Sequence, residues 1–424
     1  MLPIDFINRM KELLGEEYEN FEASYSESPV RSFRVNTNKI SEENFEKINP
    51  FGGEKIPYAE NGFYFSCDGI GNHPYHHAGM IYIQEPSAMA AVASVDIRPD
   101  WNILDLCASP GGKSTQAAAQ NPDGILVSNE IVPSRCKTLT GNIERMGFRN
   151  VITTCADAKR IASLYGEAFD LVIVDAPCSG EGMFRKDENA QKEWSVENVL
   201  HCAERQREIL DEIKTTVKPG GLLLYSTCTF SLEENEKNVD WFLNENDNFE
   251  LIEAKDSVIN FTADGIMFDG CKEKNISRCR RFYPHIAKGE GQFFALMRKT
   301  DGFGIEELPP SALRNIPKNE QKIIFDFLDE TLESYNKKAV KKYKDNFVYF
   351  ESDFPVPNGA FSCGVTLGSL QKNYIKPHHQ FFSAMGENFK QKIELTPEQA
   401  KKYSHGETVD CGFDKGWCAV TVEG

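Results

Sequence analysis

Between residues 100 and 300 short apolar runs alternate with amphipathic stretches. "WNILDLC", "GILVSNE", "NVITTCA", "FDLVIVDA" and "GGLLLYST" are strand-length and dominated by Val, Ile and Leu. "GGKSTQAAAQ", "SRCKTLTGNIERMG" and "ENVLHCAERQREILDEIKTTV" stand among them and read as helices. This order predicts an α/β domain over 96–300, a doubly wound parallel sheet covered by helices on both faces. Residues 1–95 mix a helix with strand-like pieces, "SFRVNTNKI" and "FYFSC", and predict a small α+β unit. Its first segment carries Phe6, Ile7, Met10, Leu13 and Leu14 at helical spacing, an amphipathic helix packed on the body. Residues 301–345 read as a helical, basic linker, and 346–424 as a separate β-rich domain. No internal repeat interrupts this plan.

In a doubly wound sheet, ligands sit beyond the carboxyl ends of the strands. Two cysteines fall there. Cys178 follows "FDLVIVDAP", and Cys228 follows "GGLLLYST".

Composition narrows the class. The 424 residues are too many for one ordinary core, and the 40% apolar and 26% charged fractions are those of a globular protein. No apolar run is long enough to span a membrane, and the N-terminus lacks the pattern of a secretory signal. The 12 cysteines are scattered, with no C-x-x-C, and Cys271/Cys279 and Cys411/Cys418 are too loosely spaced for a zinc knuckle. They read as core filler in a reducing cytoplasm, with no metal site. A net charge of −17 argues mildly against nucleic acid, although a local basic strip still holds phosphate.

"ILDLCASPGGKSTQAAA" joins a strand to a helix through a Gly-rich turn, whose backbone N–H groups suit a nucleotide-like ligand. A dinucleotide fingerprint needs G-x-G-x-x-G, which is absent. A P-loop needs G-x-x-x-x-G-K-[ST], and "CASPGGKS" matches it except at Cys107; "LVIVD" even imitates a magnesium-binding strand. The third reading is S-adenosylmethionine (SAM). Glu130 ends the next strand, about 20 residues on, where a carboxylate can accept from ribose hydroxyls. Asp157 follows the third strand, placed for an adenine amino group. Either carboxylate alone would pass for an exposed turn residue; both at strand exits, with the loop, favour SAM.

A single cysteine at a strand end reads as a small buried hydrophobe. The setting of these two differs, because Cys178 lies in a polar Pro-Cys-Ser-Gly loop and Cys228 between two threonines. Carbon-5 of cytosine is a poor nucleophile, and a thiolate adding to carbon-6 turns the ring into an enamine able to take a methyl group. One cysteine can make that bond and a second assist its release.

"LDLCASPGGKST", "DAPCSGEG" and "YSTCTFSLEENE", in this order, resemble the Nol/Nop/Sun family of RNA (cytosine-5) methyltransferases, as do "FRVNT" and "RFYPHIAKGEGQFFALMRK". "GVTLGSLQKNYIKPHH" is similar to the C-terminal domain of the bacterial RsmF-type branch, which modifies small-subunit (16S) ribosomal RNA, and that tail resembles an RNA-binding PUA-type module. The resemblance implies Cys228 as nucleophile, Cys178 in product release, Asp175 on the cytosine edge and Lys113 beside it. It implies a SAM pocket lined by Cys107, Ala108, Ser109, Pro110, Gly111, Gly112 and Lys113, with Glu130, Asp157 and Asp175. Arg135, on the next helix, is a weaker candidate that reads as solvated helix face. DNA enzymes of this chemistry lack the Thr-Cys cysteine, so the pair points to RNA. RsmF-type chains continue past "GWCAVTVEG" with a basic stretch, so the resemblance implies a C-terminal domain shortened at Gly424.

Residues 271–299 hold four lysines and four arginines against two glutamates, with Phe282, Tyr283, His285 and Phe293 interleaved. Lys337, Lys338, Lys341, Lys342 and Lys344 form a second cluster, which alone reads as a solvated helix face. Both are candidate RNA strips, since cations hold phosphate and aromatics stack on unpaired bases. The expectation is a monomeric cytoplasmic ribosomal RNA methyltransferase. A transfer RNA methyltransferase of the same family, a P-loop NTPase and a non-catalytic RNA-binding module are the alternatives.

Overall fold

The computed structural model describes residues 2–302 and 308–424; residues 303–307 of the expected linker lie outside the described residues. The N-terminal strands β1 (Arg31–Val35), β2 (Gly62–Phe65) and β3 (Ile81–Ile83) form an antiparallel sheet in the order β2-β1-β3. Phe33, Phe45, Phe51 and Phe63 close its small core. The helix Ile4–Leu14 buries Phe6 and Met10 against Phe184, Trp194 and Phe230, so the expected amphipathic helix packs on the body of the protein.

The central sheet carries β4 (Asn102–Asp105), β5 (Ile125–Asn129), β6 (Val151–Thr154), β7 (Phe169–Asp175) and β8 (Val217–Thr227), parallel in the order β6-β5-β4-β7-β8. The sheet continues through β9 (Phe249–Ile252), β10 (Ala263–Asp264), β11 (Arg280–Phe282) and β12 (Gln292–Lys299), with β12 antiparallel to both β8 and β9. Successive side chains of a strand point to opposite faces, and here they feed two cores. Leu104, Val127, Ile152, Val172, Val174 and Tyr225 face the helices Ala158–Tyr165, Val196–Ile213 and Glu236–Glu245. Ile103, Leu126, Leu171, Ile173 and Leu224 face the helices Pro86–Ala93, Gly112–Gln120 and Pro133–Met146. Each fully buried Val, Leu or Ile contributes about 1.5–3 kcal/mol, which is why near-continuous apolar runs are needed at these five strands. The helix Pro86–Ala93 thus belongs to the central core, although it precedes residue 96.

The segment after residue 307 departs from the expected helical linker. Its helix, Lys318–Thr331, buries Ile324 and Leu328 in the C-terminal core, with Phe347, Leu367 and Phe381. Of the lysine-rich stretch, Lys341 and Lys342 lie in β13 (Val340–Tyr343), hairpin partner of β14 (Asn346–Tyr349), with Lys337 and Lys338 in the turn before it and Lys344 in the turn after. Its charge suggested a helix, but Val340 and Tyr343 are buried and Lys342 pairs with Glu320 (Nζ–Oε1 2.7 Å) on the packed helix. β15 (Ser362–Cys363) adds to the edge of the central sheet beside β6; β16 (Val365–Leu370) and β17 (Ile375–Pro377) complete the sheet β13-β14-β16-β17. β18 (Lys392–Glu394) and β19 (Ala419–Thr421) pair in parallel. Phe354, Val356, Ala360 and Cys363 enter the central core, so the strand-rich C-terminal domain is fused to the central one. No helix among the described residues is long and apolar enough to cross a membrane.

Candidate active site

The carboxyl ends of β4, β5, β6, β7 and β8 lie side by side, and the expected loop, carboxylates and cysteines all start there. After β4 the chain turns through Cys107–Pro110, and Gly111 caps the helix Gly112–Gln120 with φ +111°, a backbone state that excludes a β-carbon without strain. Asn129, at the end of β5, binds three strand exits together: its amide donates to the carbonyls of Leu106 (3.0 Å) and Ala156 (2.8 Å) and its oxygen accepts from the Ala156 N–H. Asp105 is fully buried. Burial pushes its carboxyl up to about 7, although Ser114 donates to Oδ2 at 2.6 Å, and Oδ1 has no partner among the described residues.

Glu130 is buried beside this loop, accepting the Val132 N–H at 3.0 Å. Arg135 is exposed on its helix, as expected, and is anchored at its tip. Its guanidinium donates to the Ser109 carbonyl (3.1 Å) and lies 3.4 Å from Glu130 Oε2, spanning the loop and the β5 exit, because the helix Pro133–Met146 starts directly behind Glu130. Asp157 stands at the β6 exit, exposed, with Oδ1 capping the next helix through the Arg160 N–H (2.7 Å). Among the described residues it makes no hydrogen bond to the loop. Burial and the carboxylates of Asp105, Asp175 and Glu130 push the Cys107 thiol far up, which leaves it an uncharged wall. The carboxylates of Glu130 and Asp157 flank the backbone of the loop, which fits SAM, a cation that also donates from its ribose hydroxyls and amino groups.

A second group adjoins it. Lys113 Nζ lies 2.8 Å from Asp175 Oδ2. A lysine in the first turn of a helix opposes the macrodipole, and the Asp175 carboxylate offsets that cost. Ser226 Oγ donates to Asp175 Oδ1 at 2.8 Å, and the Gln292 amide reaches the same oxygen at 3.5 Å. Cys178 Sγ and Cys228 Sγ are 3.3 Å apart, both half-buried. The contact with Cys228, and burial, raise the Cys178 thiol well above its ordinary range.

Two buried carboxylates fix the cysteine loops. Glu234 accepts from the Ser179 N–H (2.9 Å), Ser179 Oγ and Gln206, and burial raises it to about 7. Glu181 accepts from Trp194 Nε1, Thr229 Oγ1 and the Phe230 N–H. Backbones meet closely here, and a β-carbon on Gly182 would stand 2.5 Å from the Gly291 carbonyl. Sequence reading missed Asp105, Asn129, Ser226, Glu234 and Gln292; the signal for the first two was a polar residue closing an otherwise apolar strand.

The strip at 271–299 is a correction. Arg281 is buried in a bidentate pair with Glu236, Arg280 binds Thr262 and Asp264, and Lys299 binds Glu167. Phe282, Tyr283 and Phe293 are core residues, and His285 packs against Phe21 and Tyr283. Only Lys272, Lys274, Lys288 and Arg298 of its cations stay exposed, because β11 and β12 run inside the sheet rather than along a groove.

The P-loop reading fails on the side chains that suggested it. Lys113 is committed to Asp175, and Ser114 bonds to Asp105 and Ser128 (2.6 Å each) rather than presenting a hydroxyl to a metal. Fold and site together define a SAM-dependent methyltransferase. A family model described as "16S rRNA methyltransferase RsmB/F" matches residues 92–298, and one described as the N-terminal domain of 16S rRNA methyltransferase RsmF matches 2–86. The chain is 33% identical over 426 residues to ribosomal RNA small subunit methyltransferase F of Shewanella oneidensis, covering 96% of this chain and 88% of that one. The Escherichia coli protein of the same name is 32% identical over 437 residues, with the same coverage. It belongs to the RsmB/F methyltransferase family. A methyltransferase homologue from Pyrococcus horikoshii, 30% identical, superposes with a TM-score of 0.61 over 69% of this chain and 93% of that one. The NSun6 structure from the same organism, 21% identical, shares the fold at 0.59 over 71% and 99%.

Proposed function

We propose that the chain methylates carbon-5 of a cytosine in small-subunit ribosomal RNA, through a covalent bond from Cys228 to carbon-6. The observation that carries this is the Cys178–Cys228 pair, 3.3 Å apart, beside an Asp175 carboxylate held by Lys113. The family's small-subunit relatives support the substrate.

The residues of the loop Cys107–Lys113, with Glu130, Asp157 and Arg135, hold SAM, which supplies an electrophilic methyl group when bound. Cys228 loses its proton to water and adds as thiolate to carbon-6; the carbon-5–carbon-6 electron pair shifts toward N3, which takes up a proton that the Lys113 ammonium passes through the Asp175 carboxylate. Carbon-5 of the resulting enamine would take the methyl group, the methyl–sulfonium bond breaking with its electron pair left on sulfur so that S-adenosylhomocysteine leaves. Carbon-5 then gives its proton to water, the double bond re-forms, and the carbon–sulfur bond to Cys228 breaks. Cys178 gives its proton to the departing sulfur and regains one from solvent, while the N3 proton returns through Asp175 to Lys113. The target base must leave any stack to reach this pocket, so an unpaired or splayed cytosine is the substrate. Phe361, Tyr374 and Trp417 are exposed on the C-terminal domain and available to stack on unpaired bases.

Denaturing gels of Cys178→Ala and Cys228→Ala after incubation with SAM and small-subunit RNA test the roles. A nuclease-sensitive, slow-migrating band is expected from Cys178→Ala and none from Cys228→Ala. The reverse pattern makes Cys178 the nucleophile. No band from either, with wild-type enzyme yielding no 5-methylcytidine, ends the proposal.

A further inference from the structure

β12 enters the site from the side opposite the SAM loop. Phe293 pairs with Thr227 and Phe294 with Ser226, so the antiparallel register places Gln292 one step beyond, opposite Cys228. Cross-strand neighbours share a face, and Ser226 and Cys228 follow Leu224 at a period of two. Asp175 follows Ile173 in the same way. Gln292, Cys228, Ser226 and Asp175 therefore line one face, that of the helix bearing Lys113.

Gln292 is buried at this position, and its start is fixed. A β-carbon on the preceding Gly291 would lie 2.3 Å from the Phe230 ring and 2.7 Å from Gly182, so the strand enters against both cysteine loops. The amide is oriented as well. Asp175, paired with Lys113, is an acceptor, so Gln292 turns Nε2 to Oδ1 and leaves Oε1 without a protein partner among the described residues.

We propose that Gln292 reads the exocyclic amino group of the target base and separates cytosine from uracil at this site. This rests on the cytosine carbon-5 reading above. The amino group of cytosine has two hydrogens, one for Asp175 and one for Gln292 Oε1. Uracil carries a carbonyl oxygen there and sets acceptor against acceptor. Turning the amide to suit uracil places Oε1 on the Asp175 carboxylate, so the ion pair with Lys113 holds the discrimination in place. A site whose buried polar groups are left unpaired by the wrong substrate rejects it strongly.

The test uses full-length enzyme and two small-subunit transcripts, one carrying the mapped target cytidine and one carrying uridine there. Initial rates of 5-methylcytidine and 5-methyluridine formation are read by mass spectrometry, with SAM affinity as the check on folding. Gln292→Leu is expected to lower the cytosine-to-uracil rate ratio by about tenfold or more, with SAM affinity unchanged. Should that variant fail to fold, Gln292→Met, equally long and unbranched, carries the same test. A variant that loses rate on both transcripts by one factor shows that Gln292 only supports Asp175, and overturns the proposal. Wild-type enzyme that makes no 5-methylcytidine on any transcript overturns the reading beneath it instead.

Discussion

Lys113 and Asp175 stand 2.8 Å apart at the exits of neighbouring strands, joining the SAM loop to the cysteine loop through one ion pair. The lysine side chain is 7% exposed and the aspartate 35%, so the pair is sheltered on one side and open to a base on the other. Lys113→Met leaves Asp175 with only Ser226 and Gln292 to orient it. Adduct formation in a Cys178→Ala background is expected to fall by about a hundredfold or more, the scale of a lost proton-handling group. Quench-flow measurement of the adduct checks this. An undiminished adduct rate would show that Lys113 serves the loop and not the base.

Asp105 is expected to make the stability of the unliganded protein depend on pH. Burial raises its carboxyl from 3.8 to about 7. A carboxyl raised on folding binds its proton more tightly in the native state, so its contribution is fully present below the unfolded pKa and is lost as pH rises through the folded one. Native stability without cofactor is therefore expected to fall between pH 4 and pH 7, at up to roughly 1.4 kcal/mol per pH unit from this group. Asp105→Asn should flatten that slope in urea melts. Parallel slopes for variant and wild type would remove Asp105 as the cause.

The strand exits were legible because each joins an apolar run to a polar loop: Asp175, Cys178 and Cys228 announce themselves by breaking a hydrophobic pattern. Gln292 did not, since its place follows from the antiparallel register of β12 on β8, which no local pattern encodes. Arg281, Phe282 and Tyr283 misled for the same reason in reverse. Their composition is that of an RNA strip, and only the fold brings Glu236 to the arginine. The lysines of β13 misled through helix-like charge, while the two buried residues framing them, Val340 and Tyr343, held the true signal.

Arg281 and Glu236 are both almost wholly buried, and their pairing also involves the Phe230 carbonyl (2.8 Å) and Tyr283 Oη (3.1 Å). Removing one partner strands the other charge in the core. Glu236→Gln is expected to cost about 3–5 kcal/mol of stability, seen as an early unfolding midpoint. RNA affinity of the folded fraction should not change. A drop in RNA affinity at unchanged stability would return this arginine to the nucleic-acid face.

Arg34, in the "FRVNT" stretch, ties the N-terminal sheet to the cofactor helix. From β1 it donates to Gln84 Oε1 (2.7 Å), the Gly112 carbonyl (2.9 Å) and Thr115 Oγ1 (2.8 Å), and it lies over the Tyr82 ring. It has no carboxylate partner among the described residues, and burial lowers it to about 10, so it remains charged at neutral pH through neutral acceptors alone. Hydrogen bonds from a charged donor are worth about 1.5–3 kcal/mol each, and the loss of three is offset by relief of a desolvated cation. Arg34→Met is therefore expected to cost about 2–4 kcal/mol, read as a shift in the urea midpoint. Because Gly112 and Thr115 belong to the helix that carries Lys113, SAM affinity should weaken in the same variant although Arg34 reaches no cofactor atom. Protection of the 112–120 amides in hydrogen exchange distinguishes the routes. If Arg34 holds the helix, those amides exchange faster without cofactor and recover when SAM is added. If their exchange is unaltered while affinity falls, the guanidinium acts on the ligand itself and not through the helix.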